Sequence, residues 1–81
     1  MQNEGVHVII TQRTENGGTW FASIVVGTGH GEHRLYAKKD GETGFQSAYQ
    51  TAAEAYMGAS QVLAELAADP QSAIAKYQYS R

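Results

Sequence analysis

The sequence has no cysteine, a single proline and few charged residues. Without cysteine the chain cannot form a disulfide, a zinc–thiolate site, an iron–sulfur cluster or a thiol nucleophile. The charged share of 17% lies below the ~25% usual for globular proteins, which argues against a charge-rich disordered chain. No apolar run approaches the ~18 residues needed to cross a membrane. The 81 residues therefore predict one small folded domain with a single core.

The charges that are present nearly balance, and the formal net charge is −2 at pH 7. Residues 41–75 contain no Lys or Arg, so the middle of the chain is acidic and sparse in charge. This balance gives no general attraction to nucleic acid or to an anionic membrane. The polar start, Met1 to Glu4, lacks the basic-then-apolar pattern of a signal peptide. The sequence therefore predicts a cytoplasmic protein that does not associate with membranes.

Three segments in the first half alternate apolar and polar residues and predict β-strands over about residues 5–13, 19–27 and 33–39. Asn16, Gly17 and Gly18 favour a turn between the first two. Short connections favour an antiparallel meander. One face of this sheet is expected to form the core, with Val6, Val8, Ile10, Trp20, Ala22, Ile24, Leu35 and Ala37.

The second half predicts a helix over about residues 44–68, because apolar residues recur there at alternating spacings of four and three. Thr43 and Gln46 fit a capping box at its start. Asp69 and Pro70 end it and begin a short helix over about residues 70–78. The expected stripe against the sheet is Phe45, Tyr49, Ala52, Tyr56, Ala59, Leu63 and Leu66.

Together these patterns predict a single two-layer α+β domain over residues 1–81. A three-stranded antiparallel sheet packs under one long helix, and a short C-terminal helix follows. The long helix would exceed the strands in length at ~1.5 Å per residue. It is therefore expected to overhang the sheet or to bend at Gly58.

Two local patterns resemble sites, and neither meets the requirements of one. The alternate glycines of residues 27–31 are followed by a strand and lack a Walker lysine or serine, so a flexible hairpin loop is expected rather than a phosphate cradle. His30, Glu32 and His33 sit among glycines that forbid the helix on which this spacing ligates a metal. No serine has a nucleophile motif, and no carboxylates pair. The sequence predicts no catalytic residue, no metal and no cofactor, and the protein is expected not to be an enzyme.

The sheet face opposite the helix is the most informative part of the sequence. A solvated sheet face is normally polar throughout, whereas this one has an apolar ridge with a cationic rim. Such patches mark interaction sites, unless residues 73–77 fold back and cover the face. Apolar surface here or at the helix end would also suit a homodimer. The predicted partner-binding residues are Ile9, Arg13, Phe21, Val25, Arg34, Tyr36 and Lys38.

Three strands, an alanine-rich long helix and a short tail make an organisation that resembles the small inhibitor proteins of bacteriophages and mobile elements, among them the anti-CRISPR proteins. The resemblance covers nearly the whole chain and lies in size, lack of cysteine, lack of a catalytic motif and strand-then-helix order. No residue-level motif is shared, so no functional residue is carried over. The resemblance implies a non-enzymatic inhibitor that binds a CRISPR–Cas effector complex or its nuclease in the host cytoplasm.

The sheet-then-helix order also resembles the three-stranded DNA-binding domains of the integrase and AP2 type. Residues 20–22 and 51–56 stand where that pattern has an aromatic strand and an alanine-rich helix. Those sheets are rich in Arg and Trp, so the few cations of this chain imply weak, salt-sensitive DNA binding. A structural homodimer is the third interpretation. The cations available for DNA are Arg13, Arg34, Lys38 and Lys39.

Overall fold

The computed structural model describes residues 5–13, 18–29 and 31–78. It confirms the α+β class, with an antiparallel three-stranded sheet and two helices in these residues. Within the same residues, no helix has the length and apolar character needed to cross a membrane. The elements in chain order are β1 (Gly5–Arg13), β2 (Thr19–Thr28), β3 (Gly31–Tyr36), α1 (Ala52–Ala68) and α2 (Pro70–Tyr77).

The sheet has the order β1-β2-β3, so β2 lies in the middle. Thr28 pairs with Gly31, which leaves only residues 29 and 30 between β2 and β3. The predicted hairpin between these strands is therefore present, but its loop is shorter than the predicted residues 27–32, because most of these residues extend the two strands. Of the three residues whose spacing resembles a metal site, Glu32 and His33 lie in β3 and His30 lies outside the described residues.

The third strand ends earlier than predicted, at Tyr36, and the chain then leaves the sheet and returns to it. The Ala37 N–H donates to the Ala22 carbonyl at 3.0 Å. The returning Tyr49 exchanges two backbone hydrogen bonds with Trp20, both 2.8 Å long. Tyr49 therefore occupies the edge of β2 beyond the end of β3, where it extends the sheet by one residue.

Fully buried Ser47 closes the base of this excursion. Its N–H donates to the carbonyl of Ala37 at 3.1 Å, and its Oγ accepts from the N–H of Lys39 at 2.7 Å. The two ends of the segment 38–46 are thereby held together. We call this segment the excursion loop.

The long helix begins at Ala52 rather than near Gly44. Thr51 is the N-cap: its Oγ1 accepts from the Glu54 N–H at 3.1 Å, and Glu54 Oε1 accepts from the Gln50 N–H at 3.2 Å. Gly44 has a φ of +91°, which is incompatible with a right-handed helix. The predicted cap at Thr43 is therefore wrong. With 17 residues, α1 is about 26 Å long and does not overhang the strands.

The core lies between the sheet and the two helices, and α1 presents a different stripe to it than predicted. Tyr56, expected in the core, is 56% exposed, and Phe45, expected in the same stripe, is 42% exposed and lies outside the helix. Ala59 is buried as predicted, and Ala55, which was not in the predicted stripe, is buried beside it; both are small and permit close approach to the sheet. The buried apolar residues are Ala22, Ile24, Val26, Leu35, Ala37, Tyr49, Ala55, Ala59, Val62, Leu66, Ala73 and Tyr77.

The short helix α2 is joined to α1 by a polar cluster around Glu65. The Tyr77 hydroxyl donates to Glu65 Oε2 at 2.7 Å, Gln61 Nε2 donates to the same oxygen at 2.9 Å, and Lys76 Nζ lies 3.2 Å from Oε1. The hydrogen bond from Tyr77, with those from Gln61 and Lys76, lowers the pKa of Glu65 to about 2. Burial, with the bond to the Glu65 carboxylate, raises the pKa of Tyr77.

The C-terminal segment belongs to the helix layer. Ala73 and Tyr77 are buried in the core, and Gln78 pairs with Leu35 along the outer edge of β3. The alternative in which residues 73–77 cover the opposite sheet face is therefore wrong. Of the described residues of the excursion loop, Phe45 and Gln46 reach that face, where Ile9 and Arg34 are exposed and Phe21, Val25 and Tyr36 are half-buried.

Candidate functional site

The sheet face away from the helices, which we call the open face, is a grid of side chains from all three strands. Antiparallel partners place their side chains on the same face. One row therefore contains His7, Val25 and Arg34, and the next contains Ile9, Ser23 and Tyr36. Apart from glycines, the open face consists of His7, Ile9, Thr11, Arg13, Thr19, Phe21, Ser23, Val25, Glu32, Arg34 and Tyr36.

Aromatic rings are held in place at one end of the open face. Phe45, at the tip of the excursion loop, packs edge-to-face on Tyr36 with ring centres 4.8 Å apart and planes at 85°. The Arg13 guanidinium lies 5.8 Å from the centre of the Phe21 ring, within the range of a cation–π contact. Phe45 is 42% exposed, and Phe21 and Tyr36 are half-buried. These rings therefore have apolar surface left over for another molecule.

The second arginine of the open face is also fixed by a neighbour. Arg34 Nη1 donates to the Oγ of buried Ser23 at 3.3 Å, which draws the guanidinium across the sheet. Between these groups lies a shallow depression of about 170 Å³. Its side chains are Thr11, Arg13, Phe21, Ser23, Arg34, Tyr36 and Gln46.

The structure brings together six of the seven residues predicted to bind a partner, and Lys38 is the exception. Lys38 follows the end of β3 and lines a groove on the helix side of the sheet. The strand alternation that placed it on the open face no longer applies beyond Tyr36. The residues that do share the open face are Ile9, Arg13, Phe21, Val25, Arg34 and Tyr36.

The groove that contains Lys38 was not predicted from the sequence. It has a volume of about 510 Å³ and separates the first residues of the excursion loop from α1. Met57, which is 70% exposed, lies on its helical wall, and Lys39 Nζ lies 5.0 Å from the centre of the Tyr49 ring. Met57 lies outside the predicted apolar stripe of the helix, but no sequence motif indicated that the excursion loop would form a groove beside it.

The chemistry of the groove does not resemble an active site. Burial and the nearby Glu42 raise the pKa of Tyr49, so its phenol is neutral at physiological pH. The charged side chains of its walls, Lys38, Lys39, Asp40 and Glu54, have mixed signs. The groove therefore offers neither an activated nucleophile nor a concentrated charge.

The two histidines that the structure describes lie on opposite faces of the sheet. His7 lies on the open face, whereas His33 pairs with buried Val26 and faces the helices. In the described ranges no group of three His, Asp or Glu side chains is placed to hold a metal ion.

Comparison with protein-family models, with curated proteins and with solved structures finds no match to this chain.

Proposed function

We propose that this protein is a non-enzymatic binding protein whose open face contacts a protein partner. The observation that supports the proposal is the exposed combination of apolar, aromatic and arginine side chains on a sheet whose other face is already covered. Aromatic residues and arginine are enriched at protein interfaces and among the residues that dominate binding energy. A face with no binding role is normally polar throughout.

The open face is also partly organised before a partner arrives. Ser23 holds Arg34, and Phe45 holds Tyr36. Side chains that are already ordered lose less conformational entropy on binding, about 0.5–1.5 kcal/mol for each one. The strand residues of the face include two arginines and one carboxylate, Glu32. The expected partner surface is therefore apolar with carboxylates that pair with Arg13 and Arg34.

As the specific activity we propose inhibition of a CRISPR–Cas effector complex or its nuclease. The organisation of the chain supports this form of the proposal, and the open face supplies a surface on which such an inhibitor would act without catalysis. The test is DNA cleavage by purified type I and type II effectors, with and without the protein. Undiminished cleavage in every system would remove the inhibitor proposal.

Variants of the open face test where the partner binds. Val25→Glu places a charge at the centre of the face, and Arg34→Glu reverses a cation that Ser23 holds. Gln71→Glu adds the same charge on the exposed surface of α2 and is the matched control. Inhibition should be lost in V25E and R34E and retained in Q71E. Equal inhibition by all three variants would place the partner on another surface.

DNA binding is the competing function, and the same wild-type and variant proteins can be used to test it. The fold divides the expected cations, because Lys38 lines the groove on the helix side while Arg13 and Arg34 lie on the open face. Two arginines neutralise few phosphates, and such binding weakens steeply with salt. We therefore expect no shift of duplex DNA in a gel at ~50 mM salt, where the phosphate contribution is large. A shift that R34E abolishes would instead assign the open face to DNA.

A further inference from the structure

Strand β1 has one edge that pairs with β2 and another that pairs with no strand in the described parts of the chain. The opposite edge of the sheet is different, because Gln78 pairs with Leu35 on the outer side of β3. The sheet is therefore open to extension along β1 and obstructed along β3.

The sequence of β1 lacks the usual devices that prevent edge-to-edge pairing. Natural edge strands are often short, bulged, or interrupted by proline or inward-pointing charge. This strand has nine residues in unbroken register with β2, and it contains no proline, lysine, aspartate or glutamate. Its one formal charge is Arg13, at the very end.

Apolar side chains along β1 are also incompletely covered on the helix side. Val6 is 46% exposed, although its partner Val26 on β2 is only 8% exposed. Val8 and Ile10 pack against the core but stay partly accessible. On the open face, Ile9 is 36% exposed. Coverage by the helices therefore fades from β2 to β1, and the apolar surface continues to the edge of the sheet.

We propose that a second copy of this chain pairs with β1, antiparallel, about a two-fold axis at Ile9. This centre pairs all nine residues of each strand, whereas moving it to Val8 or Ile10 leaves residues unpaired at the ends. Val8 of each copy faces Ile10 of the other, and the two Ile9 side chains meet. Arg13 lies opposite Gly5, so the two arginines are at opposite ends of the seam.

A second copy of the chain is the expected partner because the edge of β1 is complementary to itself. An antiparallel pair related by a two-fold axis matches residues of the same face, so the helices of both copies lie on one side of a continuous six-stranded sheet. At the centre of the seam apolar residues meet apolar residues on both faces, further out Val6 lies opposite Gln12, and no like charges are juxtaposed. A seam of one strand per copy is small for a protein interface, so a dissociation constant in the micromolar range is expected. This proposal does not depend on the proposed function.

Sedimentation equilibrium of the full chain at tens of micromolar tests the dimer. The wild type should have about twice the monomer mass of 8.8 kDa. Ile9→Lys brings two ammonium groups together at the axis and should raise the dissociation constant roughly tenfold or more. Gln71→Lys adds the same charge remote from β1 and should leave the dimer intact. An equimolar mixture of I9K and I9E chains should recover the dimer, because opposite charges then meet at the axis.

A monomeric wild type overturns the proposal, and so does a dimer that I9K leaves unchanged. Circular dichroism checks that the variants are folded. Should I9K lose its fold, cross-linking supplies the answer, because the chain has no native cysteine. Ile9→Cys should oxidise to a disulfide-linked dimer many times faster than Gln71→Cys, since paired residues across a ladder lie within disulfide reach. Equal rates for the two variants would refute the β1 seam.

Discussion

Replacement of Gly58 by alanine tests how closely α1 approaches the sheet. Glycine in the middle of a helix ordinarily costs about 1 kcal/mol relative to alanine, so the substitution should stabilise the protein on helix propensity alone. In this fold, however, a Cβ on Gly58 would lie 2.7 Å from Cζ of Tyr49 and still closer to its Oη. Such a separation is far below van der Waals contact.

The Tyr49 ring has little freedom to move away. Two backbone hydrogen bonds of 2.8 Å fix Tyr49 to Trp20, and the side chain is only 6% exposed. Inserting a methyl group into such packing costs typically about 1–3 kcal/mol. After the propensity gain of about 1 kcal/mol, Gly58→Ala should be destabilising by about 0–2 kcal/mol. For a domain of this size each kcal/mol lowers Tm by ~4–8 °C.

Urea or thermal unfolding followed by circular dichroism measures this effect, and two further variants isolate its cause. Ala64→Gly, at an exposed position of α1, gives the cost of glycine without any steric contribution. In a Tyr49→Leu background the obstructing ring is gone, so Gly58→Ala should become stabilising. If Gly58→Ala stabilises the unaltered protein by as much as Ala64→Gly destabilises it, the steric argument is refuted.

Three other substitutions address the loop, the helix cap and the helix–helix cluster. Ser47→Ala should destabilise the fold by about 1–3 kcal/mol in urea unfolding, because the Lys39 N–H loses its buried acceptor. Thr51→Ala should cost about 0.5–2 kcal/mol while Thr43→Ala has little effect, and the reverse order would contradict the observed start of α1. The pKa of Glu65 falls from its ordinary 4.5 to about 2 on folding, so its stabilisation is complete above pH 4.5 and is lost as the pH falls towards 2. The Tm of the wild type should therefore exceed that of E65Q at pH 7, and a gap that stays constant down to pH 2 would contradict the assignment.

The sequence pattern was sufficient to predict the sheet because one face of it is buried by helices. The alternation of β1 and β2 locates the residues that face the helices, although Val6, predicted in the core, is 46% exposed because the helices do not cover the start of β1. The short helix could also be predicted from the sequence, because Asp69 caps it and Pro70 occupies its first turn, as expected. These features depend on local geometry, and the alternation of apolar and polar residues in a strand or a capping motif in a helix indicates that geometry directly.

The helix start was predicted wrongly because two threonines fit the same capping motif. Thr43 precedes Gln46 by three residues, and Thr51 precedes Glu54 by three. The choice depends on Tyr49, whose backbone pairs with Trp20 and holds the chain extended up to the second threonine. This pairing is a long-range contact that no local pattern contains. Because the prediction did not include this pairing, it treated Tyr49 as part of the helix. The expected apolar stripe was therefore rotated about the helix axis, and Tyr56 was placed in the core.

The residues of the candidate site likewise divide into those that the sequence pattern could place and those that it could not. Six of its residues could be placed because they follow the alternation of regular strands. Phe45 was missed because it reaches the open face only through the irregular path of the excursion loop. Lys38 was misplaced for the converse reason, since β3 ends before the alternation can carry it to the open face.

The closed base of the excursion loop makes it a natural point for insertion. The hydrogen bonds of Ser47 to Ala37 and Lys39 fix both ends, so the residues around Gly41 can vary in number without altering the sheet. Doubling the length of a closed flexible loop costs only about 0.6 kcal/mol. A peptide tag or a fluorescent reporter spliced in after Gly41 should therefore leave the domain folded, and the open face would stay accessible on the far side of the sheet.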